Sequence, residues 1–368
     1  MSVYTITTPN PNAISIVSSD EGKVFIDQQS GDTAEEKWTN AIAAADNIAP
    51  PTTGRNVVLS PSARRYVFTQ PGFSINTRHS ILAPSIIVKR EVHLQFNNPI
   101  QGQTFVRISG GFGQACSGIW VTCGADGAAS VPERFQDLTA FNFDSVSSFR
   151  TMVLDCRLFG LNSSGVRVTR NGNQNTESCK FVGLNMRAAM PLIHESGDNC
   201  SYSNLDLTCW HDPSTDDLPE AQQLPGVNDP NKKWAAIQGG PTTVLDHIEF
   251  SGSTQRGNAS IYFNGNVDRI GDSVIIKHFR DEQGYDDGTS RITFTASRTN
   301  NTGNSQRNVT FNDVQTTTID TITGQPYQSA YNVQNSVRFA IIGGSLSGGG
   351  HTDSQPFTTT VDPASVGI

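Results

Sequence analysis

Arg157, Lys180, Asp206 and Glu249 each sit between two apolar residues, in the triplets "CRL", "CKF", "LDL" and "IEF". On a half-buried strand a polar residue so placed points away from the core. If these triplets stack as neighbouring strands about 4.8 Å apart, Asp206 and Glu249 face one another. Two carboxyls at roughly 5 Å suit a retaining glycosidase, one acting as nucleophile and one as acid/base. Their repulsion raises one pKa, as a general acid requires. Lys180 beside Asp206 holds that partner ionised. The expected catalytic set is therefore Lys180, Asp206 and Glu249. The same residues also read as an exposed Lys180–Asp206 ion pair and a solvated Glu249.

Ligand contacts are expected nearby. Trp210 follows Cys209 directly and offers a flat apolar face with an indole donor at its edge. His211 adjoins it, and Arg157 supplies a fixed positive charge. "RDEQGYDD" brings Asp281 and Glu282 into a second acidic cluster. It reads as an acid pair, a Ca²⁺ loop without EF-hand spacing, or a solvated loop. His194 in "LIHESGDN" reads as a base or as a surface residue at a strand end. "SGGFG" lacks the Lys-Ser/Thr of a phosphate loop. The six cysteines show neither metal spacing nor a redox motif and read as buried free thiols. No metal and no cofactor is expected.

Elements must hold such a column in place. From Phe149 onward, stretches of roughly 22–28 residues repeat as strand, Gly- or Asn-containing turn and strand, within the range of stacked repeat units. One such unit cannot close a core, whereas stacked units bury continuous columns. The expected columns are Cys156, Cys179, Leu205, Ile248 and Val309, then Leu158, Phe181, Leu207, Phe250 and Phe311. Glycines at 160, 183 and 252 suit the bends. An ordinary antiparallel sandwich is the competing reading.

One stretch differs. "GDTAEEKWTNAIAAADNIAPP" predicts a helix over 33–49, with Thr33 and Glu36 forming a capping box. Trp38, Ala41, Ile42, Ala45 and Ile48 make an apolar stripe, and Pro50 and Pro51 end it. Stacked strands leave an open end, and this helix is expected to cover it. The expected division is an N-terminal arm (1–30), a stacked-strand body (31–350) with an insertion at 210–232, and a C-terminal tail (351–368).

Composition agrees. Of 368 residues, 36% are hydrophobic, below the usual globular share, and 16% charged, yet the chain is too rich in Val, Ile and Phe and too low in net charge for disorder. A net charge of −8 argues against a nucleic-acid surface. No apolar run approaches the roughly 20 residues needed to span a bilayer. The N-terminus lacks a signal-peptide pattern, so synthesis in a cytoplasm is expected.

The order "GDTAEEKWTNAIAAADNIA" then "GRNVVLSPSARRYVFTQ" resembles the entry to the pectate-lyase-like right-handed parallel β-helix superfamily. Gly54, Val57, Leu59, Pro61 and Tyr66 hold the places of its first strand pair, with "SARR" where a Gly usually precedes the Tyr. The resemblance covers Gly31 to about Phe96, and the repeat extends it less specifically to about Gly350. It implies an all-β fold, a single-stranded right-handed parallel β-helix with an N-terminal capping α-helix. Among members the chain looks most like bacteriophage tailspikes and virion appendages. That likeness implies a homotrimer in the virion, made in the host cytoplasm. Its partners would be a host cell-surface glycan and other tail or capsid proteins, with no nucleic acid and no membrane span. A polysaccharide depolymerase, hydrolase or lyase, and a purely architectural decoration protein are the alternatives.

Overall fold

The structure is a computed structural model. It describes residues 3–7, 14–18, 23–47, 57–77, 85–112, 115–123, 137–158, 163–169, 176–195, 197–209, 235–239, 247–256, 259–263, 270–281, 292–295, 306–317, 331–334, 337–342, 345–347 and 359–361. The fold is all-β, built from parallel sheets, with one α-helix among the described residues.

The chain visits two sheets in turn. Ala115–Cys123, Arg150–Arg157, Lys180–Ala188, Cys200–Cys209, His247–Arg256, Ile270–Asp281 and Gln306–Thr317 are successive neighbours in the first sheet. Thr139–Ser147, Ser164–Thr169, Met190–His194, Ala235–Gly239, Ala259–Phe263 and Ile292–Thr295 are successive neighbours in the second. Each strand thus pairs in parallel with its equivalent one rung on. The N-terminal segment departs from this: Val3–Thr7, Ile14–Ser18 and Lys23–Phe25 pair antiparallel, after which Lys23–Phe25 pairs in parallel with Val58–Ser60. At the other end Thr359–Val361 adds a parallel strand beside Tyr331–Gln334.

The core lies between the sheets, where inward residues pile in columns. Thr151, Phe181 and Tyr202 form one, and Phe250, Ile276 and Phe311 continue its level in the backbone register. Phe181 stacks on Tyr202 at 4.8 Å and meets Phe143 of the second sheet at 5.1 Å. The expected columns are corrected in part. Phe181, Phe250 and Phe311 do share a level, but Leu207 lies level with Cys156 and Met186 instead. Cys179 lies beside Cys200, not beside Cys156 or Leu205.

The reason is a corner inside each long strand. Gly118, Val153, Gly183 and Asn204 stand level on four neighbouring strands, and all have left-handed φ, from 55° to 74°. The corner splits each strand into two halves, each alternating apolar and polar. Apolar alternation alone lays second halves on first halves, which is why the expected columns mix them. Serines 148 and 178 and Asn199 form another left-handed corner, with φ of 52° to 55°.

The helix, Ala34–Asn47, starts at the expected capping box, while Ile48, Pro50 and Pro51 lie outside the described residues. Glu36 N donates to Thr33 Oγ1 at 3.2 Å, and Thr33 N and Asp32 N donate to Glu36 Oε2 at 3.1 and 2.8 Å. Trp38, Ala41, Ala44 and Ala45 are buried. Trp38 meets Tyr66 edge-on at 5.5 Å and Phe68 at 6.5 Å, so the helix lies over the first rung. Asp27 fixes the turn before Tyr66, accepting from Ser62 N (2.7 Å), Ser62 Oγ (2.5 Å), Ala63 N (3.1 Å) and Tyr66 Oη (2.6 Å).

Candidate functional site

Past the corner of the first sheet, the second half-strands turn one polar residue outward at every rung. His93 lies between buried Val92 and Leu94, and Trp120 between buried Ile119 and Val121. Asp155, Asn185 and Asp206 are flanked in the same way. The register sets Arg65, His93, Trp120, Asp155, Asn185 and Asp206 in one column, a residue per rung. Two positions further along the strands, Gln95, Thr122, Arg157, Arg187 and Thr208 make a parallel column.

The upper part of this strip is ordered by direct contacts. The His93 ring stacks on Trp120 with centroids 4.3 Å apart and planes 17° from parallel. His93 Nε2 lies 2.6 Å from Thr122 Oγ1. Arg65 donates to Gln95 Oε1, and Gln95 Nε2 donates to Asn97 Oδ1 at 2.7 Å. Burial, and then the nearby Arg65 charge, lower the His93 pKa to about 4. The imidazole is therefore neutral at pH 7, which suits it to lie against an indole as a second flat face.

The lower part carries the carboxylates. Asn185 Nδ2 donates to Asp155 Oδ2 at 3.1 Å, and the Asn185 amide oxygen is buried without accepting a hydrogen bond. Asp155 and Asp206 lie two rungs apart, about 9.6 Å at the backbone. Arg157 and Arg187 stand one rung apart beside them. Aromatic faces, carboxylates and guanidiniums on one lateral surface are the groups that bind hydroxyl-rich chains.

The expected Asp206–Glu249 pair is not formed. Asp206 lies opposite Ser253, and Glu249 opposite Ser201. That is five strand positions, about 16 Å along the strand. Lys180 lies opposite Arg150 and Ser201, level with Glu249 two rungs away rather than with Asp206. Arg157 lies opposite Arg187 and Thr122, in the same strip as Asp206. Asp281 lies opposite Thr254. Trp210, His211, Glu282 and the insertion at 210–232 lie outside the described residues. His194 is not a surface residue: it is fully buried between the sheets, with Nδ1 2.5 Å from Tyr202 Oη and Nε2 3.3 Å from Gly197 O. No group of three or more His, Cys, Asp or Glu side chains suited to a metal ion occurs among the described residues.

His93, Trp120, Asp155, Asn185 and Arg187 were not singled out from the sequence. Their signal is a polar or aromatic residue alternating with apolar ones just after a Gly or Asn corner, as in "GIWV" and "GLNM".

No protein-family model matches the chain, and no curated protein matches it. Among solved structures it is similar to the catalytic domain of a GH87 α-1,3-glucanase in complex with tetrasaccharides. The two are 11% identical with a TM-score of 0.25, over 91% of this chain and 67% of the other, a likeness that transfers nothing about activity.

Proposed function

We propose that this protein binds a polysaccharide on the lateral strip of its first sheet. The observation that carries the reading is the His93–Trp120 stack, set in one outward column with Asp155 and Asp206 and flanked by Arg157 and Arg187. A sugar ring lies on the aromatic faces while its hydroxyls bridge to carboxylates and guanidiniums. The two sheets are then walls of a right-handed β-helix. The resemblance at Gly31–Phe96 extends the reading to a homotrimeric phage appendage that attaches to host glycan. A panel of bacterial surface polysaccharides tests the binding. Trp120→Ala is expected to weaken it about tenfold or more with unchanged far-ultraviolet circular dichroism. Equal binding by that variant overturns the site. Sedimentation at a mass of three chains is the expected outcome for the trimer.

A second reading is hydrolysis at the same strip. Asp155 and Asp206 share a column two rungs apart, near the upper end of the roughly 6.5–9.5 Å carboxyl spacing of inverting glycosidases. In that reading one is the acid and the other activates water. Release of reducing ends from a bound polysaccharide, lost by about a hundredfold or more in Asp155→Asn and in Asp206→Asn, is the expected result. Undiminished cleavage in either variant removes the assignment.

A further inference from the structure

Cys179 and Cys200 meet inside the core, away from the lateral strip. Lys180 lies opposite Ser201 on neighbouring parallel strands, and Ser201 N donates to Cys179 O at 2.9 Å, so the two cysteines occupy the same level. Each follows a left-handed corner residue with φ of 52°, Ser178 and Asn199, which turns both side chains into the interior. Both are fully or almost fully buried, and both are free thiols. Cys179 Sγ donates to Glu177 O at 3.2 Å and Cys200 Sγ to Asp198 O at 3.5 Å, equivalent carbonyls two residues before each cysteine.

Neighbouring strands about 4.8 Å apart fall within the roughly 4.4–6.8 Å Cα separation of disulfides. Other described cysteines lack such a neighbour. Cys116 lies level with Ile86 and Thr151, Cys123 with Phe96, and Cys156 with Val121 and Met186. Gly197 keeps the space open: a Cβ there would come within 3.1 Å of Cys200 Sγ and 3.0 Å of His194 Cε1.

We propose that Cys179 and Cys200 are a pre-aligned pair that closes to an inter-rung disulfide when the chain folds in the presence of a low-molecular-weight disulfide. One thiolate attacks a sulfur of the small disulfide, breaking its S–S bond and expelling one small thiolate. The second cysteine's thiolate attacks the protein sulfur of this mixed disulfide and expels the other. Two electrons pass from the cysteine pair to the oxidant, and the two thiol protons go to solvent. The neighbouring Cys179 and then burial hold the Cys200 thiol protonated once the core has closed, so the exchange belongs to the folding chain. The same burial then shields the bond from reductant.

The test is cell-free synthesis of the full chain in a glutathione/glutathione disulfide buffer, alkylation under denaturing conditions and non-reducing peptide mapping. A peptide joining Cys179 to Cys200 is expected, with the other cysteines alkylated. The oxidised form is expected to unfold at a midpoint roughly 3–8 °C above the reduced form. Cys179→Val and Cys200→Val are each expected to leave the remaining partner open to alkylation and to remove that difference. Full alkylation of both cysteines in the wild-type chain overturns the proposal, as does a cross-link joining other cysteines.

Discussion

His93 lies against Trp120 and beside Arg65, and its proton affinity follows from those neighbours. Burial and the Arg65 charge lower its pKa to about 4, from an ordinary 6.5. Between those values the unfolded chain binds a proton that the folded chain refuses, so stability falls as pH drops from 6.5 to 4. Below 4 the contribution of this group is constant. His93→Gln should flatten that segment of a stability–pH curve measured by urea unfolding. Asp27 and Glu35 take over at lower pH. Burial alone would raise both, but the hydrogen bonds each accepts prevail and hold their pKa values below the usual carboxylate range. Their contribution is full above the ordinary carboxylate pKa and is lost as pH falls through the lowered values. Asp27→Asn should shift the acid transition to higher pH. Among the described residues, Val153 is the one whose conformation fits its type least. It is β-branched, with φ at 58°, on a corner where Gly118, Gly183 and Asn204 stand at the same level. Val153→Asn should stabilise the chain by about 1 kcal/mol in the same assay.

At the scale of elements, the helix was the most legible part of the chain. Its signals are local: Thr33 and Glu36 as a capping box, and a stripe read at helical spacing. Thr33→Ala should cost about 1 kcal/mol of stability in chemical denaturation. Trp38→Ala should cost about 3–5 kcal/mol by emptying the space against Tyr66 and Phe68. Strand existence was legible too, because triplets such as "CRL", "CKF" and "LDL" alternate apolar with polar residues. Register was not. Apolar alternation is the same on both sides of a corner, so Leu205–Leu207 matches Ile248–Phe250 as well as it matches its true partners. A corner is set by one left-handed φ, and a glycine such as Gly183 marks it only when Val153 and Asn204 are known to do the same. That ambiguity lets alternation alone set Glu249 beside Asp206 and conceals the column in which Asp206 stands.

For the whole molecule, repetition makes each rung depend chiefly on its two neighbours. The helix lid then has a second effect besides packing. Trp38→Asp would uncover the first rung, and concentration-dependent end-to-end association should appear in light scattering. The column of outward residues also behaves as a ruler graduated in single rungs. Excising residues 180–200 would join Cys179 to Ser201 and slide strand Cys200–Cys209, from Ser201 onward, against Arg150–Arg157. Asp206 would then stand next to Asp155 instead of two graduations away, while every remaining side chain kept its direction. The spacing between chemical groups on this surface is therefore adjustable by whole-number edits of the chain.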